Sequence, residues 1–209
     1  MLKEISLVAL FVMATSYNDQ TVELLEEAER LKLNCKHEES ISLLENLLSD
    51  DPGNVAALEE IADNELSLER YERAVTAAKQ AVALDKESYM GHYVLGFYSS
   101  LKGDWKLAAE RLKTANSIKP NNPEILRCLG WSLFNQDEKV RGIVTLERSL
   151  NLDSENVLTL CDLGVCYMHS GDLQKAISIF SAVLDLDIEN EKARECIKMI
   201  KKMKARKTA

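Results

Sequence analysis

Three histidines and five cysteines are the residues of this sequence that could carry out catalysis or bind a metal ion. The histidines are His37, His92 and His169, and their wide separation gives no indication of a Ser/His/Asp or Cys/His arrangement. Cys166 and His169 share a helical face at a spacing of three, but Cys161 is five residues from Cys166 and points elsewhere. No glycine-rich phosphate loop is present. The sequence therefore predicts no enzyme, no metal site and no cofactor.

The cysteines also carry information about folding. They have no paired spacing and no CxxC motif, and their number is odd. Such a pattern is typical of reduced thiols in a reducing compartment. We therefore expect the cysteines to be small buried hydrophobic residues.

Charge is distributed unevenly along the chain. The net charge is −8, although the last dozen residues contain six basic side chains and no acidic one, so the rest of the chain is more acidic still. An acidic surface repels the phosphates of nucleic acids. The charge pattern therefore predicts no nucleic-acid partner.

The elements that would position any functional residue recur with a period of 34 residues. A 34-residue frame tiles the chain from Thr21 without insertion or deletion, in the windows 21–54, 55–88, 89–122, 123–156 and 157–190. The eighth and twentieth residues of every window are small. They are Ala28, Ser40, Ala62, Ala74, Gly96, Ala108, Gly130, Gly142, Gly164 and Ala176. We expect two helices per window that cross closely at these residues.

Short polar residues at the window ends predict where helices begin. Each window ends on Asn or Ser, whose side chain can accept a hydrogen bond from the first helical turn of the next window. Glycine and aspartate at Gly103-Asp104 and Gly171-Asp172 predict a turn between the two helices of a window. Cys35, Glu69 and Asp137 stand where other windows have that glycine, so strained turns are expected there.

These residues resemble the tetratricopeptide repeat, whose pattern is W-x2-L-G-x2-Y, then A-x3-F, then P. The match is clearest in the fifth window, with Leu160, Leu163, Gly164, Tyr167, Ala176 and Phe180. The second window matches least, since Glu65 replaces the usual tyrosine. The resemblance covers residues 21–190 and implies an all-α, right-handed superhelical solenoid of about five helix-turn-helix repeats.

The resemblance also implies a concave groove lined by the first helix of each repeat, where partner peptides bind. Apolar and aromatic residues at the groove positions of the last three windows, together with one arginine, are the predicted partner-binding set. They are Met90, Tyr93, Phe97, Arg127, Trp131, Phe134, Leu158, Val165 and Met168. Aromatic residues at helical spacing are also typical of a core, and this alternative stays open. The places where a carboxylate clamp needs Lys, Asn and Arg hold other residues, which are Leu25, Glu29, Glu60, Tyr93, Phe97 and Cys128.

Two segments flank the repeats. Residues 1–20 contain the apolar run 5–14, which is consistent with a lid helix on the first repeat, with a signal or membrane-tethering segment within residues 1–16, or with an artefact of cloning or of gene prediction. The same run could fill the groove of its own chain or of a second copy, so a homo-oligomer remains an alternative. Residues 191–209 predict a capping helix with a basic tail.

The functional prediction is a non-catalytic scaffold or adaptor that binds a peptide or amphipathic helix of a protein partner. A cytoplasmic location follows from the reduced thiols, and an exported or membrane-tethered location is the alternative. The other two function classes are an envelope- or membrane-tethered assembly factor and a regulatory subunit of an enzyme partner.

Overall fold

The computed structural model describes the backbone of residues 7–207 and the side chains of residues 20–205. Within this range the chain forms eleven helices and no strand. The helices are α1 (Leu7–Leu33), α2 (His37–Asp50), α3 (Val55–Ser67), α4 (Tyr71–Leu84), α5 (Tyr89–Leu101), α6 (Trp105–Ile118), α7 (Pro123–Asn135), α8 (Lys139–Leu152), α9 (Val157–His169), α10 (Leu173–Leu186) and α11 (Glu191–Lys207). The predicted all-α tetratricopeptide fold is confirmed. The role of the apolar run 5–14 lies outside the described residues.

Side-chain caps start the helices where the sequence predicts them. Asn54 accepts a hydrogen bond from Ala57 N at 3.0 Å, and Asn156 accepts one from Thr159 N at 2.9 Å. Asn122 accepts from two amides of the first turn of α7, each at 3.0 Å. These bonds satisfy amides that a helix leaves unpaired at its N-terminus. They fix the start of α3, α7 and α9.

The turns within the helix pairs have a left-handed residue at one fixed position. Gly103 and Gly171 have φ values of 78° and 83°, while Cys35, Glu69 and Asp137 have φ values of 58°, 57° and 71°. A side chain at positive φ crowds its own backbone, whereas glycine does not. The predicted strain at the three non-glycine turns is thus confirmed.

Small residues let paired helices approach until their backbones touch. A Cβ atom built on Gly142 would lie 2.6 Å from Phe134 N and 2.7 Å from Gly130 O. Both distances are too short for a carbon atom, so α7 and α8 cross at two glycines. Ala28, Ala62, Ala74 and other small residues at the same window positions are fully buried.

The chain divides into two compact units, unit 1 (Met1–Val94) and unit 2 (Leu95–Ala209). The core of unit 1 contains Leu44, Leu58 and Ile61. The core of unit 2 is built around Leu146 and Phe180, and other apolar residues of α7 to α11 pack against it. Each unit therefore has its own hydrophobic core.

Candidate protein-interaction surface

Helices α7 and α9 of unit 2 carry six of the predicted groove residues. Each helix packs against the second helix of its window through a glycine, because a Cβ on Gly130 would meet Leu146 at 2.8 Å and a Cβ on Gly164 would meet Phe180 at 2.8 Å. Helices α7 and α9 also contact each other. The helix faces turned away from these glycines are free to carry functional side chains.

We use the name α7–α9 face for the surface that carries Arg127, Trp131, Leu158, Val165 and Met168. Leu158 is 60% exposed, which is unusual for a leucine on a helix that is otherwise largely buried. Trp131, Val165 and Met168 are half-buried and rest on the core of unit 2. The face therefore presents apolar side chains that are supported from below and accessible from outside.

Two of the four remaining predicted groove residues are buried, and the other two are half-buried. Phe134 is 7% exposed and belongs to the core of unit 2. Tyr93, in unit 1, is 8% exposed. Met90, in unit 1, and Phe97, in unit 2, are half-buried. Phe134 and Tyr93 thus contribute mainly to packing, which is the alternative that the sequence left open.

Arg127 is held in an ionic cluster. Its Nε donates to Glu124 Oε2 at 3.0 Å, and its Nη1 donates to Asp162 Oδ2 at 2.8 Å across the gap between α7 and α9. Burial alone would lower the pKa of Arg127, but its bonds to Glu124 and the charge of Asp162 outweigh burial and raise it. Burial raises the pKa of Asp162, and Arg127 partly offsets that effect. Arg127 therefore joins two helices rather than offering a free charge.

Helices α1 and α3 of unit 1 carry a charged surface at the corresponding positions, which we call the α1–α3 face. Lys32 Nζ donates to Glu60 Oε2 at 2.7 Å and to Asp63 Oδ2 at 2.9 Å. Burial alone would lower the pKa of Lys32, but the two carboxylates raise it instead. Glu59 on α3 accepts a hydrogen bond from Ser88 Oγ at 2.6 Å. The α1–α3 face thus carries Lys32 and Asp63 at the window positions where the α7–α9 face carries Met168 and Val165.

The sequence analysis missed both ionic clusters. Arg127 and Asp162 are 35 residues apart, which is one period plus one residue, and Lys32 and Asp63 are 31 residues apart. In a repeat array, such spacings place side chains on neighbouring first helices. Opposite charges separated by about one period were the signal that could have found them.

A cavity of about 370 Å³ between α8, α9 and α10 was also missed. At its wall the buried Tyr167 donates a hydrogen bond to Glu147, and Lys175 Nζ lies 4.9 Å from the centre of the tyrosine ring. Burial and the bond to Glu147 raise the pKa of Tyr167. Tyr167, which the sequence identified only as part of the repeat pattern, is therefore a fixed hydrogen-bond donor.

Cys166, His37 and His92 take part in packing or hydrogen bonding. Burial raises the pKa of Cys166 to about 12, so its thiol stays protonated and is a poor nucleophile or ligand. His37 Nδ1 lies 2.9 Å from Asn64 Oδ1, and His92 Nε2 lies 3.1 Å from Lys86 O. Cys35 is exposed at its turn, contrary to the expected burial.

Two other kinds of feature are absent from the described residues. No three His, Cys, Asp or Glu side chains in this part of the chain are grouped so that they could hold a metal ion. No helix in the same part is long and apolar enough to cross a membrane.

Comparisons with known proteins agree with this architecture. One curated relative is the BBSome complex member BBS4 homolog of Drosophila melanogaster, which is 23% identical over 164 residues. The alignment covers 78% of this chain and 34% of that protein, so the chain spans about a third of the relative's length.

Solved structures give a similar result at low sequence identity. YrrB, described as a TPR protein with an unusual peptide-binding site, has a TM-score of 0.64 at 19% identity, covering 90% of this chain and 97% of YrrB. MamA 41-end from Desulfovibrio magneticus RS-1 has a TM-score of 0.64 at 20% identity, covering 83% and 98%. A chain of the APC/C hetero-tetramer Cut9-Hcn1 reaches 0.75 at 19% identity, covering 93% and 40%. These likenesses show the fold alone.

Family models give the assignment directly. One tetratricopeptide repeat model matches residues 34–89 and 59–123, and a second matches residues 158–190. The matched residues include α3, α4, α5, α9 and α10, whose caps, turns and close helix crossings are described above, and they make up more than half of the sequence. The chain belongs to the tetratricopeptide repeat family.

Proposed function

We propose that this protein is a non-catalytic scaffold that binds an amphipathic helix or a short apolar peptide of a protein partner on the α7–α9 face. The observation that carries the proposal is the 60% exposure of Leu158 on the same helix as the half-buried Val165 and Met168, with the half-buried Trp131 on α7. Apolar side chains gathered on one exposed surface typically mark a binding site. Tetratricopeptide proteins commonly act as protein-interaction scaffolds, which supports the same class of function.

Rigidity of the face supports the proposal. The Arg127–Asp162 bond joins α7 to α9, and the glycines at Gly130 and Gly164 hold each helix against its partner. A preorganised surface loses little conformational entropy when a ligand binds. The apolar residues are thus displayed on a surface that is already in place before a partner arrives.

The chemistry of the ligand follows from the side chains on the face. Trp131 offers a large aromatic surface, and tryptophan is among the residues that most often dominate binding energy. Arg127 is already paired, so the face offers apolar contact rather than an unpaired charge. A helix with apolar residues at spacings of three and four would cover such a surface best. Known relatives point the same way, since YrrB has a peptide-binding site and the fly relative is a complex member.

The test compares two doubly substituted variants of the full chain. Leu158→Asp with Met168→Ser alters the α7–α9 face, whereas Val140→Asp with Val144→Ser alters α8, where the valines are 76% and 57% exposed. Each variant and the wild type would be used for affinity capture from native lysate, after circular dichroism has shown that all three are folded. The proposal predicts a protein partner that is captured by wild type and by the α8 variant but not by the α7–α9 variant. Capture of the same proteins by all three would contradict it.

A further inference from the structure

One face of α11 consists mainly of basic side chains and includes two apolar ones. Its residues recur at spacings of three and four, which places them on a single side of the helix. They line a shallow surface cavity of about 570 Å³ and are Arg194, Ile197, Lys198, Lys201, Lys202 and Ala205. Ala193 and Ile200, on another side of α11, are fully buried in the core of unit 2. The helix is therefore anchored by one side and presents the basic face to solvent.

The lysines of this basic face have no partner within the described structure. Lys198, Lys201 and Lys202 are exposed, and none of them forms a hydrogen bond or an ion pair there. Basic residues stabilise the C-terminus of a helix, but this effect fades beyond the last turn. Lys198 and Lys201 lie more than one turn before the end of α11 at Lys207. Helix stabilisation therefore does not account for the basic face.

The start of the same chain carries a surface of opposite charge. Residues 20–54 contain nine acidic and three basic side chains, whereas residues 191–207 contain eight basic and two acidic ones. A groove of about 560 Å³ lies between α1 and α2, and we call it the α1–α2 groove. Its lining residues are Glu27, Leu31, Glu38, Glu39, Ser42, Leu43 and Asn46. Half-buried leucines thus lie between carboxylates, just as Ile197 lies between lysines on α11.

The carboxylates of the α1–α2 groove differ in how they are paired. Glu38 accepts hydrogen bonds from both Nη atoms of Arg70 and stays in that pair, whereas Glu27 and Glu39 have only local partners. Glu27 pairs with Arg30 at 2.5 Å, and Glu39 pairs with Lys36 at 3.0 Å. Both pairs are solvent-exposed and join residues three apart on the chain, so each is worth little. Exchanging such a partner for a lysine of another molecule costs little free energy.

We propose that the basic face of α11 in one molecule docks into the α1–α2 groove of a second molecule. Ile197 contacts the leucines of the groove, and Lys198, Lys201 and Lys202 pair with its carboxylates. Charge complementarity selects a second copy as the occupant, because this one sequence supplies both halves of the interface. The two surfaces differ, so each molecule can use its groove and its basic face with different neighbours, and the contact builds chains or rings.

The contact is expected to be weak and sensitive to salt. One helix face in one groove buries less surface than a stable dimer of standard size needs. Its charges are exposed, so ions screen them over about 10 Å at 0.1 M salt. Self-association should therefore increase with protein concentration and disappear in concentrated salt.

Sedimentation velocity of the full chain tests the proposal with two charge-reversal variants. The first is Lys198→Glu/Lys201→Glu/Lys202→Glu, and the second is Glu27→Lys/Glu39→Lys, which leaves the Glu38–Arg70 pair intact. All five side chains lie at the surface of their helices, so both variants should fold, which circular dichroism would verify. Wild type should associate at about 0.05 M NaCl and dissociate at about 0.5 M. Each variant alone should remain monomeric.

An equimolar mixture of the two variants is the decisive sample. It pairs an acidic α11 with a basic groove and a basic α11 with an acidic groove, so association should return. A wild type that stays monomeric at low salt, or a mixture that stays monomeric, would overturn the proposal. Flotation with vesicles containing anionic lipid would be run in parallel. Vesicle binding by a monomeric wild type, lost in the lysine variant, would also overturn it and assign the basic face to membranes.

Discussion

The α1–α3 face of unit 1 and the α7–α9 face of unit 2 use the same repeat positions for different chemistry. In unit 1, Lys32 reaches two carboxylates on α3, and the surface is charged. In unit 2, the ionic cluster is confined to Arg127 and its partners, and Trp131 and Leu158 add apolar surface. Helix pairing thus fixes the scaffold but leaves the outward side chains free to specialise. Function is therefore expected to differ between the units.

The interiors of the two units also differ in polarity at matching window positions. In unit 1, Ser40 donates to Ala28 O at 2.9 Å, and Asn64 donates to Ser40 Oγ at 3.1 Å. Glu65, which follows Asn64 in the sequence, is fully buried. Tyr167 of unit 2 has the same position within its window as Glu65, and it packs in the core of unit 2. Unit 1 thus buries a carboxyl group at a window position where unit 2 buries an aromatic side chain.

The largest expected effect is a loss of stability when the close approach of α7 and α8 in unit 2 is disturbed. Gly142→Ala places a carbon 2.6 Å from Phe134 N, and the backbone must move to accept it. We expect a loss of about 2 kcal/mol in the free energy of unfolding, measured by urea denaturation. Gly53→Ala is the control, since its new carbon would meet only Asp51 Oδ1 at 3.6 Å. Equal stability of both variants would show that α7 and α8 do not depend on this close approach.

The next prediction compares the loss of stability when each of the two ionic clusters loses its basic residue. Arg127→Leu strands Asp162, whose side chain is 20% exposed, and should cost about 2 kcal/mol. Lys32→Leu leaves Glu60 and Asp63, which are 28% and 27% exposed, and should cost about 1 kcal/mol because water can solvate them. Thermal unfolding of both variants measures the difference.

The Arg127→Leu variant should also respond to pH. Without Arg127, nothing on α7 offsets the effect of burial on Asp162. The pKa of Asp162 in the folded variant therefore rises further above the value that it has in the unfolded chain. The folded variant then holds a proton that the unfolded chain has released, so its stability falls as pH rises above the ordinary aspartate pKa of about 4. The loss relative to wild type should be larger at neutral pH than at about pH 4. A loss that does not change with pH would show that Asp162 stays solvated.

A gain in stability is expected at Glu65. Burial raises its pKa, and the nearby Arg73, at 2.8 Å, and Arg70, at 3.8 Å, offset this only in part. A raised carboxyl pKa makes folding less favourable as pH rises, so Glu65→Gln should stabilise unit 1 by about 1 kcal/mol near neutral pH and by less in acid. Arg73 is 55% exposed and would not be stranded.

Thermal unfolding at several pH values measures the effect of Glu65→Gln. The exposed Glu45→Gln, which also loses a carboxylate near Arg73, is the control and should change stability little. A destabilised Glu65→Gln variant would mean that the ion pair with Arg73 outweighs the cost of burying the carboxylate.

The smallest effect concerns the turn residues. Glu69 in unit 1 has a φ of 57°, whereas Gly171 occupies the same place in unit 2 with a φ of 83°. Glu69→Gly should raise the free energy of unfolding by about 0.5–1 kcal/mol, and Gly171→Glu should lower it by a similar amount. Urea denaturation of both variants measures the pair. Changes of the same sign would rule out backbone strain as the cause.

Much of the fold follows from local sequence signals. A fixed period, small residues at two positions and short polar caps predict the helix starts at Val55, Pro123 and Val157, because each signal acts within one or two turns. The degree to which a side chain on a helix face is buried does not follow from these local signals. Phe134 and Trp131 both occupy groove positions, yet Phe134 is buried and Trp131 is half-buried. That difference depends on neighbouring helices, which spacing alone does not describe.

Photo-crosslinking at matching positions of the two units tests the central claim most directly. Leu158 and Val22 are both the second residue of a window and are 60% and 46% exposed. A photoreactive amino acid would replace each in turn, and products would be identified by mass spectrometry after irradiation in native lysate. The account predicts a protein partner crosslinked from position 158 and not from position 22. Crosslinking of the same partner from both positions, or from position 22 alone, would contradict it.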